Sequence, residues 1–355
     1  MPLPGLLSDT YRPALEQALT AVFTEYEQEL LDISPDGERV LALLKEFSLR
    51  PSKRIRGSLA AAMYDHATGA EVSEAALRLG ACVELLQNYL LIIDDVMDRS
   101  DIRRGKPSLH RLYESLYPDT GEHEAYMAGV LIGMFAQHSA NIALLGGNYD
   151  PTRLRAALAL LHTHMTITDI GQIDDMRQQI SHLPITGDAL RRKYQQKSSY
   201  YSFVNPLQMA LVLAGKDEMA ARRDAEAFGL PAGVAFQLRD DYLGIFGESS
   251  TTGKPNLDDI REGKYTFMIH YALEQASIEE RESLLAILGS PTADEHALEA
   301  VRKIICSTGA DERAMVDAER YIQEAKQAAL AGTSWDESFA RMLNALVDFI
   351  VERQV

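Results

Sequence analysis

The sequence predicts an all-α fold, and three observations carry that prediction. Apolar residues recur three and four apart along nearly every long segment. No run of short alternating strands is present. Gly and Pro, 23 and 13 in 355 residues, are modest and scattered, and breaks fall only where they gather with Asn and Ser. The segment ALEQALTAVFTEYEQELLDI carries the helical period between acids. So do SEAALRLGACVELLQNYLLIIDDVMD, RLRAALALLHTHMTITDIGQIDDM, DEMAARRDAEAFGLPAGVAFQLRDDYLGIF, KYTFMIHYALEQASIEERESLLAIL and DERAMVDAERYIQEAKQAALAG. Segment lengths suggest roughly ten to twelve helices. Breaks fall at residues 48–53, 103–108, 146–152 and 247–259, and the apolar period resumes soon after each. With no fixed repeat either, one domain over residues 1–355 is the expectation.

The chain is 46% hydrophobic and 25% charged, which suits a soluble protein with a sizeable core. A formal charge of -17 argues against general nucleic-acid binding, which needs a basic footprint. An anionic ligand stays possible, because a local basic cluster or a metal ion reverses the field. Cys82 and Cys306 lie far apart without CxxC spacing and read as small buried apolar residues. The opening MPLPGLLSDTYRP lacks the pattern of a signal peptide. The longest apolar stretches are interrupted by Gly, Gln, His or Asn and fall short of a membrane span, so a cytoplasmic location without stable membrane insertion is expected.

Candidate chemistry centres on LLIIDDVMDRSDIRRGKPS. The helix ELLQNYLLIIDD is apolar around most of its circumference, which places it inside the bundle. Carboxylates at its end are costly unless cations meet them. Asp94 and Asp98 are four apart and share a helix face, with Asp95 adjacent. Such oxygen donors suit Mg²⁺, which binds through one or two carboxylates plus substrate phosphates. The helix dipole disfavours acids at this end, which also hints at a metal; the plainer reading is a solvated acidic helix end. AFQLRDDYLGIFG repeats the context with Asp240 and Asp241, although position 244 is Gly. Facing pairs across a cavity could hold a small cluster of divalent ions. A third pair, Asp174 and Asp175, stays open between cavity wall and solvated face. Short basic groups border helix ends or loops: Lys53, Arg54 and Arg56; Arg103 and Arg104; Lys197 with Ser198 beside it; Lys254 and Lys264. Singly each reads as a surface residue. Together with the acid pairs they suggest phosphates bridged by metal.

In order, these segments resemble the trans-isoprenyl diphosphate synthases of the polyprenyl synthetase family, over roughly residues 45–270. KRIRG resembles the GGKRxR segment, with Pro51 and Ser52 in place of the glycines. DDVMDRSDIRRGKP resembles the first aspartate-rich motif, GQIDD the GQxxD segment, and KSSYYSFVNPLQMALVLAG the Lys-Thr stretch with Ser198 as Thr. FQLRDDYLGIFG resembles the second aspartate-rich motif, and GKPNLDDIREGKYT the loop after it. The resemblance implies antiparallel helices around a deep central cavity, of the isoprenoid synthase type, usually in a homodimer. It implies elongation of an allylic diphosphate by isopentenyl diphosphate. By position, Asp94 and Asp98, with Asp95 beside them, would bind Mg²⁺ (Mn²⁺ as an alternative), and Asp240, with Asp241, another ion. About three ions would stabilise the leaving diphosphate. Arg103, Lys197, Ser198, Gln237, Lys254 and Lys264 would hold the allylic diphosphate. Lys53, Arg56, Gln87 and Arg104 would hold the isopentenyl diphosphate. Asp94, Asp98, Arg103, Lys197, Asp240 and Lys254 would carry the catalysis.

The resemblance also implies a floor for the growing chain at Leu86, Tyr89 and Leu90. One aromatic there, without an insertion in DDVMD, looks like a geranylgeranyl (twenty-carbon) synthase; farnesyl or longer products are alternatives. A class I terpene cyclase is a rival, but it needs no isopentenyl-binding group. A non-catalytic partner subunit would lack phosphate ligands, and they are present. Gly244 departs from the family pattern and removes an outer carboxylate, while Asp240 remains. A closing Arg353 over the cavity mouth competes with a frayed terminus.

Overall fold

The computed structural model describes residues 4–25, 27, 32, 34–181, 185–247 and 256–351. Among these residues the fold is all-α, with sixteen α-helices and one two-stranded hairpin. In chain order the helices are α1 Arg12–Glu25, α2 Pro35–Ser48, α3 Ile55–Thr68 and α4 Glu74–Met97. After the hairpin β1 Ile102–Arg103 and β2 Lys106–Pro107 come α5 Leu109–Leu116, α6 Glu122–Leu145, α7 Pro151–Ser181 and α8 Gly187–Tyr194. Then follow α9 Asn205–Leu213, α10 Glu218–Phe246, α11 Leu257–Arg261, α12 Phe267–Gln275, α13 Ile278–Ile287, α14 Glu295–Ser307, α15 Ala310–Ala331 and α16 Glu337–Val351. A π-helical segment, Gln195–Val204, joins α8 to α9. Periodicity suggests fewer helices because it merges neighbours. The stretch from Tyr265 to Leu288 holds both α12 and α13, parted where Ser277 and Glu280 form a capping box.

Contacts divide the chain into two compact units. Of the described residues, one comprises those up to 158 and 206–218, the other those within 159–205 and 219–351.

In the first unit, α4 is the central helix. Ser73 caps its start by accepting from Ala76 N. Leu79, Cys82, Leu85, Leu86 and Ile92 are buried along it. Glycines let neighbouring helices close on α4. A Cβ on Gly57 of α3 would stand 2.6 Å from the Gly80 carbonyl oxygen. On the other side, a Cβ on Gly129 of α6 would stand 2.8 Å from Val96 Cγ2. The end of α4 that carries Asp94–Asp98 is thereby gripped. α4 and α6 are both long and apolar enough to cross a membrane by length and composition, whereas the sequence pattern predicts that every apolar stretch falls short. In α4 that apolarity is core: 67% of its most apolar window is buried. Cys82 is likewise core and its burial pushes the thiol up to about 12, whereas Cys306 is exposed, against expectation.

In the second unit, the π-helical segment is pressed between α7 and α10. A Cβ on Gly171 would meet Lys197 N at 2.5 Å, and one on Gly229 would meet Val204 N at 2.9 Å. Side chains at either position would push the segment away. At the end of α10, the Asn256 amide donates to the Ile245 and Gly247 carbonyls, the latter at 2.6 Å, satisfying groups the helix cannot.

Gly57→Ala drives a methyl group into backbone that cannot yield. It is expected to cost about 1–3 kcal/mol, read as a lower urea midpoint; an unchanged midpoint would show that the α3–α4 crossing is looser than described.

Candidate active site

At the end of α4, Asp98 caps the helix and its N–H bonds the Asp94 carbonyl at 2.8 Å. Asp94 and Asp98 are half-buried and share a face, as their spacing predicts. Asp95 is turned away and buried. Arg103 Nε donates to its Oδ1 at 2.7 Å, and Arg103 Nη2 joins it, also reaching Asp94 Oδ2 at 3.2 Å. Burial alone would lower the Arg103 pKa, but Asp95 and Asp94 raise it, so the guanidinium is firmly charged. Asp95, expected as a metal ligand, is paired with Arg103 in this structure.

Arg103 and Arg104 ride on the β1–β2 hairpin, whose central residues Arg104 and Gly105 both have positive φ, 56° and 72°. This is the primed-turn arrangement, which glycine adopts freely and arginine does not. Buried Arg50 holds the hairpin: its Nη1 donates to the Arg103 carbonyl at 3.0 Å and its Nη2 to the Pro107 carbonyl at 2.8 Å. Glu46 in turn pairs with Arg50 at 2.7 Å and with Lys106 at 2.9 Å. Nothing in the sequence period marks Arg50; it sits in a break that reads as a loop.

Arg104 lies in a basic surround. Its Nη1 is buried and meets no hydrogen-bond acceptor among the described residues. Burial, then Arg54, outweighs Glu84, and with Arg103 and Arg56 pushes the guanidinium down to about 10. It remains charged at neutral pH, so the surplus cation calls for an anion. Gln87, one turn along α4 from Glu84, is also buried with Oε1 unmatched among the described residues. Arg56 is half-buried and Lys53 exposed. Arg54, grouped with them in the sequence, is consumed inside the protein. It is fully buried, bonded to Glu16 at 2.7 Å, Glu84 at 3.4 Å and the Ser48 carbonyl at 2.7 Å.

In the second unit, Asp174 is exposed and Asp175 buried, which resolves the third acid pair. Lys197 Nζ donates to Asp175 Oδ2 at 2.6 Å, and Lys193 Nζ to Oδ1 at 2.7 Å. Burial would push Asp175 up; the two lysines overcome it and hold the carboxyl well below the usual range. Ser198 donates to Gln237 Oε1 at 2.6 Å, and Gln237 Nε2 to Asp241 Oδ1 at 2.8 Å. Tyr194 OH donates to the other oxygen of Asp241. Asp241, expected as a metal ligand, is thus buried in a hydrogen-bond chain in this structure. Burial pushes it up to about 7, against the bonds from Tyr194 and Gln237. Asp240, its neighbour, is half-buried.

The gap left by Gly244 has an occupant. A Cβ there would land on Asp259 Oδ2. Asp259 pairs with Lys264 at 2.6 Å, and Lys264 with Glu262 at 2.7 Å. The small residue in the second motif makes room for this pair, fifteen positions on, which spacing within the motif cannot reveal. Leu86 is buried on α4, with Tyr89 and Leu90 half-buried. Lys254 and Arg353 lie outside the described residues.

The donor set fits a hard cation. Asp94 and Asp98 in the first unit and Asp240 in the second carry oxygen donors of the type a hard cation takes, and among the described residues no three acidic, thiol or imidazole groups form a closed metal cage. Mg²⁺ takes much of its shell from water and substrate phosphate, so partial protein ligation suits it.

Residues 38–305 match the polyprenyl synthetase family. The chain belongs to that family. It is a prenyltransferase with the all-α isoprenoid synthase fold. A short chain isoprenyl diphosphate synthase from Methanothermobacter thermautotrophicus is 32% identical over 92% of this chain and 94% of its own. A geranylfarnesyl diphosphate synthase from Aeropyrum pernix is 28% identical over 92% of this chain and 98% of its own. Among solved structures, a geranylgeranyl pyrophosphate synthase from Corynebacterium glutamicum, complexed with isoprenyl diphosphate and magnesium, superposes with a TM-score of 0.90, 28% identity and full coverage of both chains.

Restoring the motif acid should harm this prenyltransferase. Gly244→Asp breaks the Asp259–Lys264 pair and crowds two carboxylates, so turnover should fall about tenfold or more; higher turnover would contradict the assignment. Arg50→Met should release the hairpin, raising both diphosphate KM values together in steady-state assays while the helical circular dichroism stays unchanged.

Proposed function

We propose that this prenyltransferase joins isopentenyl diphosphate to an allylic prenyl diphosphate, head to tail (1′-4), giving a short-chain all-trans prenyl diphosphate. Geranylgeranyl diphosphate is the product we favour. The buried Nη1 of Arg104, without an acceptor among the described residues, is the observation that carries the reading, because it supports a second anion place that owes nothing to the aspartates. A terpene cyclase ionises one diphosphate and needs no such place.

Arg104, Arg56, Lys53 and Gln87 would bind the isopentenyl diphosphate. Arg103, Lys197, Lys264 and Lys254 would bind the allylic diphosphate, with Ser198 and Gln237 supporting them through their shared bond. Asp94, Asp98 and Asp240 would hold Mg²⁺ or Mn²⁺, about three ions as the family resemblance implies. A bound divalent ion neutralises the charge that grows on the departing diphosphate. The fixed guanidinium of Arg103 adds charge there without reorganising, since Asp95 already holds it. The apolar length of α4 keeps water from the allylic cation. The double bond of isopentenyl diphosphate attacks that cation, and the departed diphosphate takes the proton, so no histidine is needed.

Tyr89 and Leu90, with Leu86 behind them, would limit chain length. The protein is read as a cytoplasmic homodimer. Support comes from α6, which leaves Met127, Leu131, Met134, Ile142 and Leu145 exposed on one stripe.

Purified protein with Mg²⁺, labelled isopentenyl diphosphate and each allylic primer tests the proposal: elongated prenyl diphosphates support it, and cyclic hydrocarbons from a primer alone refute it. Tyr89→Ala should lengthen the product on chromatography; an unchanged product would remove Tyr89 from the floor. Asp94→Ala should abolish turnover, and a retained rate would undo its role as ligand.

A further inference from the structure

We propose that Lys193 is a positioning residue that frees Lys197 to engage a diphosphate, by keeping the Asp175 carboxylate neutralised when Lys197 leaves it. The inference rests on the reading of Lys197 as an allylic diphosphate ligand.

Asp175 is almost fully buried, with a side chain 7% exposed, and both its oxygens are taken by lysines. The two lysines differ. Lys193 is 6% exposed and has a second bond, from Nζ to the Tyr265 carbonyl at 3.1 Å. It is fixed at both partners. Lys197 is 23% exposed, four residues on, in the π-helical segment. Local π-helical turns of this kind recur at functional sites.

A single lysine on a buried carboxylate would be trapped. Leaving would strand an unpaired charge out of water, which is among the most destabilising changes a core can undergo. With Lys193 in place, Asp175 keeps a charge-assisted bond whether or not Lys197 stays. Two lysines and one carboxylate also leave one net positive charge, available to an anionic ligand. Lys197 can then exchange a carboxylate oxygen for a phosphate oxygen of similar geometry. Lys193 touches neither substrate nor reacting atoms; it acts through Asp175.

The test compares Lys193→Met, Lys193→Arg, Asp175→Asn, the double variant K193M/D175N and Lys197→Met. It reads calorimetric affinity for inorganic diphosphate with Mg²⁺, and KM for each substrate. Lys193→Met should weaken diphosphate binding and raise the allylic KM about tenfold, with the isopentenyl KM within about twofold. Lys193→Arg should restore most of the loss. Removing Asp175 as well should rescue binding, because Lys197 is then no longer trapped; a merely structural Lys193 predicts a double variant as poor as the single. Unchanged affinity in Lys193→Met, or no rescue in the double variant, overturns the inference. If Lys193→Met fails to fold, Asp175→Asn alone decides: affinity kept or improved supports the release role, and weakened affinity refutes it. Should Lys197→Met bind diphosphate like the wild type, the reading of Lys197 itself falls. Should Lys197→Met weaken binding while Lys193→Met does not, only the role of Lys193 falls.

Discussion

Asp95, Asp175 and Glu84 are carboxylates taken out of water, and each is bonded to a basic side chain near the candidate site. A buried acid without a cation is severely destabilising, so the fold cannot form without bringing these bases into place. Asp95 aims Arg103 across the end of α4. Asp175 gathers Lys193 and Lys197. Glu84 and Glu16 bury Arg54, and Arg54 in turn repels Arg104, whose remaining charge has no protein acceptor at Nη1 among the described residues. The acids therefore divide into two sets. Buried Asp95, Asp175 and Glu84 organise cations; half-buried Asp94, Asp98 and Asp240 are the carboxylates we propose as metal ligands. One motif, Asp-Asp, supplies a member to each set, because adjacent residues on a helix point about 100° apart.

The same arrangement needs close backbone approach. Gly57, Gly80 and Gly129 let α3 and α6 clamp α4, while Gly171 and Gly229 let the π-helical segment settle between α7 and α10. Packing at this density transmits small shifts, so the position of Lys197 depends on residues that carry no charge. Gly244 extends the theme: absence of a side chain in the second motif is what admits Asp259 and, with it, Lys264.

Local spacing explains what is legible in the sequence. The helical period, and the shared face of Asp94 and Asp98, depend only on neighbours along one helix. The family is visible because its motifs occur in order along the chain. Choices that depend on distant partners are not visible. Whether Asp174 or Asp175 turns inward depends on Lys193 and Lys197, some twenty residues on. Arg54 and Arg56 are alike in sequence, yet one is consumed by Glu16 and Glu84. Arg50 reads as a loop residue, although it braces a hairpin more than fifty positions away. The apolar α4 and α6 also look too interrupted to cross a membrane, because Gly and Asn within them serve helix packing and the core rather than breaking the apolar length.

The division of labour between neighbouring acids is tested most directly by the Mg²⁺ concentration for half-maximal turnover in Asp95→Asn and Asp98→Asn. If Asp98 is a ligand and Asp95 an anchor, Asp98→Asn should raise that concentration about tenfold or more, while Asp95→Asn should leave it within about twofold and raise the allylic KM instead. A large rise in the Mg²⁺ requirement of Asp95→Asn, with an unchanged allylic KM, would contradict the account.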